Sequence, residues 1–170
     1  AKSVFDALGA KTYVINAEPS GYNINTNAGS THIEVLQKFV IDNGLDVGFA
    51  YDGDADRCFV IDELGAPVSP SAITALVARR EIARAKAAGE EVPVIIHNLI
   101  TSRAVPELVE ASGGRAVRTR VGHSFIKALM ASEGAVFGGE HSAHYYTRDF
   151  YNADTGRLAA MHVLAALGEQ

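Results

Sequence analysis

The chain of 170 residues can hold one large globular domain or two small ones, and its 48% apolar and 21% charged residues are ordinary folded-protein usage. A net charge of −5 without a dense Lys/Arg cluster argues against nucleic acid as a partner, since phosphate backbones are held by grouped cations. The one cysteine, Cys58, cannot form an internal disulfide, Ala1–Phe5 lack the features of a signal peptide, and no apolar run approaches the roughly 18 residues of a membrane span. The expected setting is the cytosol, with no membrane partner.

Helices and strands alternate along the chain. A helix over residues 2–8 ends at Gly9 and leads to a strand at Thr12–Ile15, then to an Asn- and Gly-rich loop from Asn23 to Gly29. Thr31-His32-Ile33-Glu34 has the spacing of a capping box, and Ile33, Leu36, Val40 and Ile41 give the following helix an apolar side before Gly44 closes it. Val47–Tyr51 and Cys58–Ile61 read as strands around an acidic loop at 52–57. Ser69-Pro70 opens the next helix, with proline at its first position, and Gly89 ends it. Strand 92–97, helix 102–111, strand 116–118, helix 122–132 and strand 135–137 follow. Glu140 to Ser142 is a loop, Tyr145-Tyr146 a returning strand, and Asp154 the start of a last helix that Gly168 closes. This order predicts an α/β fold with a mixed, mostly parallel sheet flanked by helices in each half.

The halves correspond at one place. Phe49 and Phe137, Asp52 and Glu140, and Asp54 and Ser142 are separated by the same number of residues, so strand, acidic loop and strand recur. Two similar domains are expected, at 1–66 and 67–170. The second half has a strand at 92–97 before its first helix–strand pair; the first half shows no counterpart and reads as truncated. Strands 12–15 and 47–51 should then lack a neighbour, leaving the first half less protected or paired with a second copy in a homodimer.

Asp52-Gly53-Asp54-Ala55-Asp56-Arg57 follows an apolar strand. Three carboxylates at alternate positions can converge on Mg²⁺, a hard cation that completes its shell with water or phosphate oxygens. Arg57 beside them can grip a phosphate with its planar fork. Three other readings compete. An EF-hand would use Asp52, Asp54, Asp56 and Glu63, but it requires glycine where Arg57 stands, and helical flanks. A haloacid-dehalogenase-type phosphatase also spaces two Asp by two, yet needs a downstream Lys and a second acidic pair that are not evident. An acidic hairpin turn without function is the third.

Glu140 and Ser142, two apart in an extended segment, share a face and offer a carboxylate and a hydroxyl to sugar hydroxyls. His123 and Lys127, one helical turn apart, could face an anionic substrate together. His141 and His144 are spaced by three in an extended stretch, which turns them apart and argues against zinc. His32, His97 and His162 read as structural.

Three ordered segments resemble one family, and the resemblance runs from residue 1 to 170. Phe49-Ala50-Tyr51-Asp52-Gly53-Asp54-Ala55-Asp56-Arg57 is similar to the metal loop of the α-D-phosphohexomutases. Gly138-Gly139-Glu140-His141-Ser142-Ala143-His144 resembles their sugar-binding loop, and Arg120-Val121-Gly122-His123-Ser124-Phe125-Ile126-Lys127 the segment that brings a His to the substrate. The resemblance implies the two middle domains of such an enzyme, which moves phosphate between C1 and C6 of a hexose. It implies Mg²⁺ on Asp52, Asp54 and Asp56, Arg57 near a phosphoserine, and a hexose phosphate contacted by His123, Lys127, Glu140 and Ser142. Arg57 and His123 would support catalysis. The family's donor-serine loop and its downstream phosphate-holding loop do not occur in the sequence, so the chain alone is expected to be inactive.

Leu99 stands where some members carry a lysine, which puts one phosphate contact in doubt. Asn23-Ile24-Asn25 with Gly29-Ser30-Thr31-His32 resembles phosphoglucosamine mutases, and the run from Val68 onward resembles phosphomannomutases, which favours mannose or glucose phosphate as substrate. One explanation is a recombined or engineered chain joined near residues 52–62, and the other a natural sequence that mixes both patterns. A two-domain unit that binds Mg²⁺ and a sugar phosphate without turnover is the alternative to an enzyme.

Overall fold

Two sheets, each flanked by helices, hold the strands of residues 1–169, the part of the chain described by this computed structural model. Helix α1 (Lys2–Ala7) and, after a long irregular segment, α2 (Glu34–Asn43) precede a three-stranded sheet of β1 (Val47–Tyr51), β2 (Cys58–Asp62) and β3 (Pro67–Val68) in that order. Every pair in this sheet is antiparallel, whereas the alternation of elements led to a mostly parallel expectation. The reason is the short connection. Residues 52–57 cannot form the crossover of roughly a dozen residues that parallel neighbours need, so β1 and β2 close as a hairpin.

Helix α3 (Pro70–Ala87) leads into the second half, with β4 (Val94–Asn98), α4 (Ala104–Ala111), β5 (Arg115–Thr119), α5 (His123–Glu133), β6 (Phe137–Gly139), β7 (Tyr145–Thr147), β8 (Ala153–Asp154) and α6 (Gly156–Gly168). Its sheet runs β5-β4-β6-β7-β8. Strand β4 is parallel to both β5 and β6, while β6-β7 and β7-β8 are antiparallel. All five residues of β4 are buried, as a central strand covered on both faces requires. The fold is therefore α/β, with one antiparallel and one mixed sheet and flanking helices.

The repeat in the sequence is a repeat in space. Helix α2, β1, the acidic loop and β2 follow the same path as α5, β6, the Glu140 loop and β7. Both loops bend the same way: the Ala55 N–H donates to the Asp52 carbonyl and the Ala143 N–H to the Glu140 carbonyl, each at 3.2 Å. Ala55 and Ala143 both adopt positive φ, 63° and 68°.

Three expectations need correction. Thr12–Ile15 is not a strand; Tyr13 and Val14 are about half exposed and no ladder bond is made. Its counterpart β5 pairs with β4, and the described residues of the first half contain no equivalent of β4 to receive it. The capping box does not form, because Gly29–Thr31 is taken up in a 3₁₀ turn and α2 starts behind Ile33 without a side-chain cap. The last helix begins at Gly156, since Asp154 pairs with Tyr146 in β8. The short strands β3 and β8 carry too few residues for a periodic signal.

The main core crosses the line between the halves. Cys58 and Val60 of β2 pack with Ile73, Val77 and Ile82 of α3, Tyr145 of β7, and Ala159, Ala160 and Val163 of α6. Burial pushes the Cys58 thiol up to about 12, so it is an inert core residue. Gly156 lets α6 abut the acidic loop: a Cβ there would lie 2.6 Å from the Arg57 carbonyl oxygen, and its N–H donates to the Ala55 carbonyl at 3.2 Å.

His97 on β4 is 5% exposed, and burial lowers its pKa, outweighing the opposing bond to the Asn98 carbonyl at 3.2 Å. The unfolded chain, with an imidazole near 6.5, then binds more protons than the folded one below that pH. Stability should fall as pH drops from about 6.5 toward the folded value. Urea melts across this range are expected to show a declining midpoint, and His97→Gln a flatter dependence; identical slopes would clear His97 of the effect.

Candidate functional site

Asp52 leaves the end of β1 with its side chain almost fully buried, and Arg57 holds it twice: Nε to Oδ2 at 2.6 Å, and the backbone N–H to Oδ1 at 3.2 Å. Burial raises the Asp52 carboxyl, but these bonds outweigh it and leave it below the usual range. For Asp56, burial and then the bond and charge of Asp52 raise the carboxyl. Ligand oxygens of Asp52, Asp54 and Asp56 all lie within 4.8 Å of one another. Arg57 pairs with Asp52 and lies 3.9 Å from Asp56, and Asp56 Oδ1 is buried without a hydrogen-bond partner. A donor set of crowded hard oxygens with an unmatched buried acceptor fits a divalent cation such as Mg²⁺. The flanking strands exclude an EF-hand.

The second loop faces a cavity of about 470 Å³. His123, Lys127, Glu140 and Ser142 all line it, joined by Asp56 from the acidic loop and by His144 and Asp154. Asp52, Asp54 and Arg57 are not on its wall. The two loops are joined by backbone: Arg57 and His144 form an antiparallel bridge, and the Cys58 N–H donates to the Ala143 carbonyl at 3.1 Å.

Glu140 is 2% exposed and fully engaged. Asn98 Nδ2 donates to Oε1 at 3.0 Å, the Gly122 N–H to the same oxygen at 3.3 Å, and the Tyr146 hydroxyl to Oε2 at 2.7 Å. Thr101 in turn donates to Asn98 Oδ1 at 2.7 Å. Burial, then the bond to Glu140 and its charge, push the Tyr146 hydroxyl far up, so it stays a donor. Lys127 is paired with Asp154 at 2.7 Å, and Ser142 Oγ lies 2.9 Å from His144 Nδ1. His144 Nε2 is 3.5 Å from Asp56. His141 turns away, 2.8 Å from Ser71 Oγ, and no metal-capable group among the described residues contains both histidines.

Leu99 is exposed and off the cavity wall. Asn98, Tyr146, His144 and Asp154 were not assigned to the site from the sequence. An asparagine ending a strand that opens with Val94, Ile95 and Ile96 was the available signal for Asn98.

With this geometry in place, the comparison with known proteins is decisive. The profile of phosphoglucomutase/phosphomannomutase, alpha/beta/alpha domain III, matches residues 69–170. The chain belongs to this family, the α-D-phosphohexomutases. The phosphoglucosamine mutase of Lachnoclostridium phytofermentans is 40% identical over 170 residues, covering 100% of the chain and 37% of its own length. The chain thus spans little more than a third of that relative. A phosphoglucomutase/phosphomannomutase family protein of Burkholderia thailandensis superposes with a TM-score of 0.83 at 28% identity, over 94% of this chain and 34% of that one. An N-acetylphosphoglucosamine mutase of Aspergillus fumigatus, solved with GlcNAc-6P and magnesium, shares the fold at 18% identity and a TM-score of 0.54, over 85% of this chain and 33% of that one.

In this phosphohexomutase chain the Glu140 network can be tested directly. Tyr146→Phe removes the shortest bond to a buried carboxylate and should cost about 1–3 kcal/mol of stability in urea unfolding. A loss below about 0.5 kcal/mol, the range of an ordinary surface change, would show that Glu140 does not depend on that hydroxyl.

Proposed function

We propose that this chain is the metal- and sugar-binding part of a Mg²⁺-dependent phosphohexomutase that acts on a glucosamine phosphate. The observation that carries the reading is the docking of the two loops, which puts Asp56 of the carboxylate cluster on the wall that also bears His123, Lys127, Glu140 and Ser142. Asp52, Asp54 and Asp56 would hold Mg²⁺, whose charge would offset that of phosphate oxygens. Arg57 keeps Asp52 in place and can turn toward a phosphate. Lys127, now on Asp154, supplies positive charge for the substrate phosphate and His123 a ring N–H; Ser142 can bond a sugar hydroxyl, and Glu140 orders the loop from beneath.

The amino-sugar reading rests on the relatives. Those named phosphoglucosamine mutase match both halves of the chain, including residues on either side of 52–62, which gives a recombined origin no support. The phosphomannomutase-like segments from Val68 onward favour the second reading, a mannose or glucose phosphate. The match beginning at residue 69 supports a boundary between a metal-binding part at 1–66 and a sugar-binding part at 67–170. A phosphorylated metabolite as substrate and the free thiol of Cys58 support a cytosolic setting, and no helix among the described residues is long and apolar enough to cross a membrane.

Titration calorimetry should show Mg²⁺ binding that weakens at least severalfold in Asp54→Asn; equal binding would remove the Asp loop as the metal site. In the presence of Mg²⁺, glucosamine 6-phosphate should bind more tightly than mannose 1-phosphate, and Ser142→Ala should weaken it severalfold, as expected for one lost hydrogen bond of about 1 kcal/mol. The reverse order of affinities would favour the mannose reading. Because no donor-serine loop lies in the sequence, neither sugar should be turned over by the purified chain; rates of roughly 1 per second or more would overturn that part of the proposal.

A further inference from the structure

Asp56 belongs to two groups of metal-capable side chains. One is the loop trio with Asp52 and Asp54; the other joins it to His144 and Asp154, with one ligand atom from each again within 4.8 Å of the others. All three members of the second group are partly buried and line the cavity of about 470 Å³, whereas Asp52 and Asp54 do not line it. Asp56 turns a different oxygen to each group. Its Oδ1 lies 3.9 Å from the Arg57 Nε that also holds Asp52, and its Oδ2 lies 3.5 Å from His144 Nε2.

The spacing of this pair and the surroundings of the ring both suit a metal. At 3.5 Å, Asp56 and His144 are too far apart for a good hydrogen bond. Two ligands on a tetrahedral Zn²⁺, each at about 2.1 Å, stand about 3.4 Å apart. A ligating histidine bonds through its other nitrogen to an oxygen that fixes the ring. His144 Nδ1 has such a partner in Ser142 Oγ at 2.9 Å, with Glu140 Oε2 at 3.6 Å. An Nδ1–H donating to Ser142 leaves the lone pair of Nε2 for a metal. Backbone pairing holds the three donors together: the Arg57–His144 bridge sets one loop against the other, and Asp154 pairs with Tyr146 through β8. Lys127 engages Asp154 Oδ1 at 2.7 Å, but a carboxylate has a second oxygen.

We propose that Asp56 Oδ2, His144 Nε2 and Asp154 form a second cation site, selective for a borderline transition metal such as Zn²⁺, with its fourth position open to the cavity. An imidazole with two carboxylates favours Zn²⁺ over Mg²⁺, which takes oxygen ligands and keeps several waters. The site rests on the Mg²⁺ reading in one respect only. With both ions bound, Asp56 would bridge them, and two dications on one carboxylate repel. Zn²⁺ therefore weakens Mg²⁺ binding, and by linkage Mg²⁺ weakens Zn²⁺ by the same factor.

The probe is Co²⁺, which absorbs visible light strongly in four- or five-coordinate sites and weakly in octahedral ones. Added to the whole chain in saturating Mg²⁺, one Co²⁺ per chain should give the strong band, and Zn²⁺ should abolish it. His144→Gln and Asp154→Asn should each lower Co²⁺ affinity about tenfold or more, while Mg²⁺ affinity in calorimetry stays within about twofold. Asp54→Asn should keep the Co²⁺ band and lose Mg²⁺ affinity. Zinc-edge X-ray absorption of the unaltered chain should show one imidazole ligand, a result that does not depend on how the variants fold. No strong band, a band lost in Asp54→Asn but kept in the other two variants, or a zinc shell without imidazole would overturn the site. Mg²⁺ affinity indifferent to Zn²⁺ would overturn the sharing of Asp56. The strong band in a chain that takes up no Mg²⁺ would support this site and strike the Asp-loop reading alone.

Discussion

The short backbone contact between the two hairpin loops organises both the core and the cavity. The bridge from Arg57 to His144 and the Cys58 N–H on the Ala143 carbonyl extend pairing from one sheet to the edge of the other. This contact fixes where β2 enters the core, so that Cys58 and Val60 meet α3 and α6. It also fixes Asp56 beside His144. Each loop bends through an alanine at positive φ, an uncommon conformation for a residue with a Cβ. Such backbone is kept where surroundings over-determine it, and here each strained alanine offers its carbonyl to a neighbour: Ala55 to Gly156 and Ala143 to Cys58.

Two buried glutamates show how the surroundings set the use of a carboxylate. Glu81 on α3 is met by Arg84 at 2.7 Å, and His162 of α6 lies 3.4 Å away. It is neutralised by a cation and ties helices together. Glu140 is as deeply buried, yet its direct donors are an amide, a backbone N–H and a phenol, all neutral. His144 Nδ1 also lies 3.6 Å from Oε2, so neutral donors with an imidazole beside them hold this carboxylate on the wall it shares with Lys127 and His123.

Much of this was legible in the sequence because it rests on local patterns. The Asp52–Asp54–Asp56 spacing marked a loop that does bring its carboxylates together, and the correspondence of Asp52 with Glu140 marked a repeated hairpin. Helices α3 and α5 announced themselves through Pro70 and through Ile126 and Met130. What failed was non-local. Thr12–Ile15 has strand-like composition, but a strand exists only with a partner, and the partner is not encoded nearby. The hydrogen bonds to Glu140 from Asn98 and Tyr146 cross the sheet, and no spacing in the chain announces them. Lys127 showed its reach toward the cavity but not its partner Asp154, which lies in a strand too short to read.

The same difference in neighbours explains why one hairpin, used twice, holds its leading carboxylate in two ways. Glu140 has a carbon more than Asp52, and that reach takes it across β6 to Asn98 on β4 and to the N–H of Gly122 at the start of α5. Its loop is thus held from beneath by the central strand, leaving Ser142 and His144 on the cavity side. In the first half, the other edge of β1 pairs with no strand among the described residues. Asp52 instead turns to Arg57 within the loop itself, and the shorter side chain keeps its oxygens near those of Asp54 and Asp56. A loop closed on its own arginine concentrates carboxylates, the arrangement a hard cation needs. A loop anchored through a single long carboxylate frees its other residues for neutral hydroxyls. The two loops thus differ in what holds their first carboxylate, an arginine within the loop for Asp52 and Asn98, Gly122 and Tyr146 for Glu140.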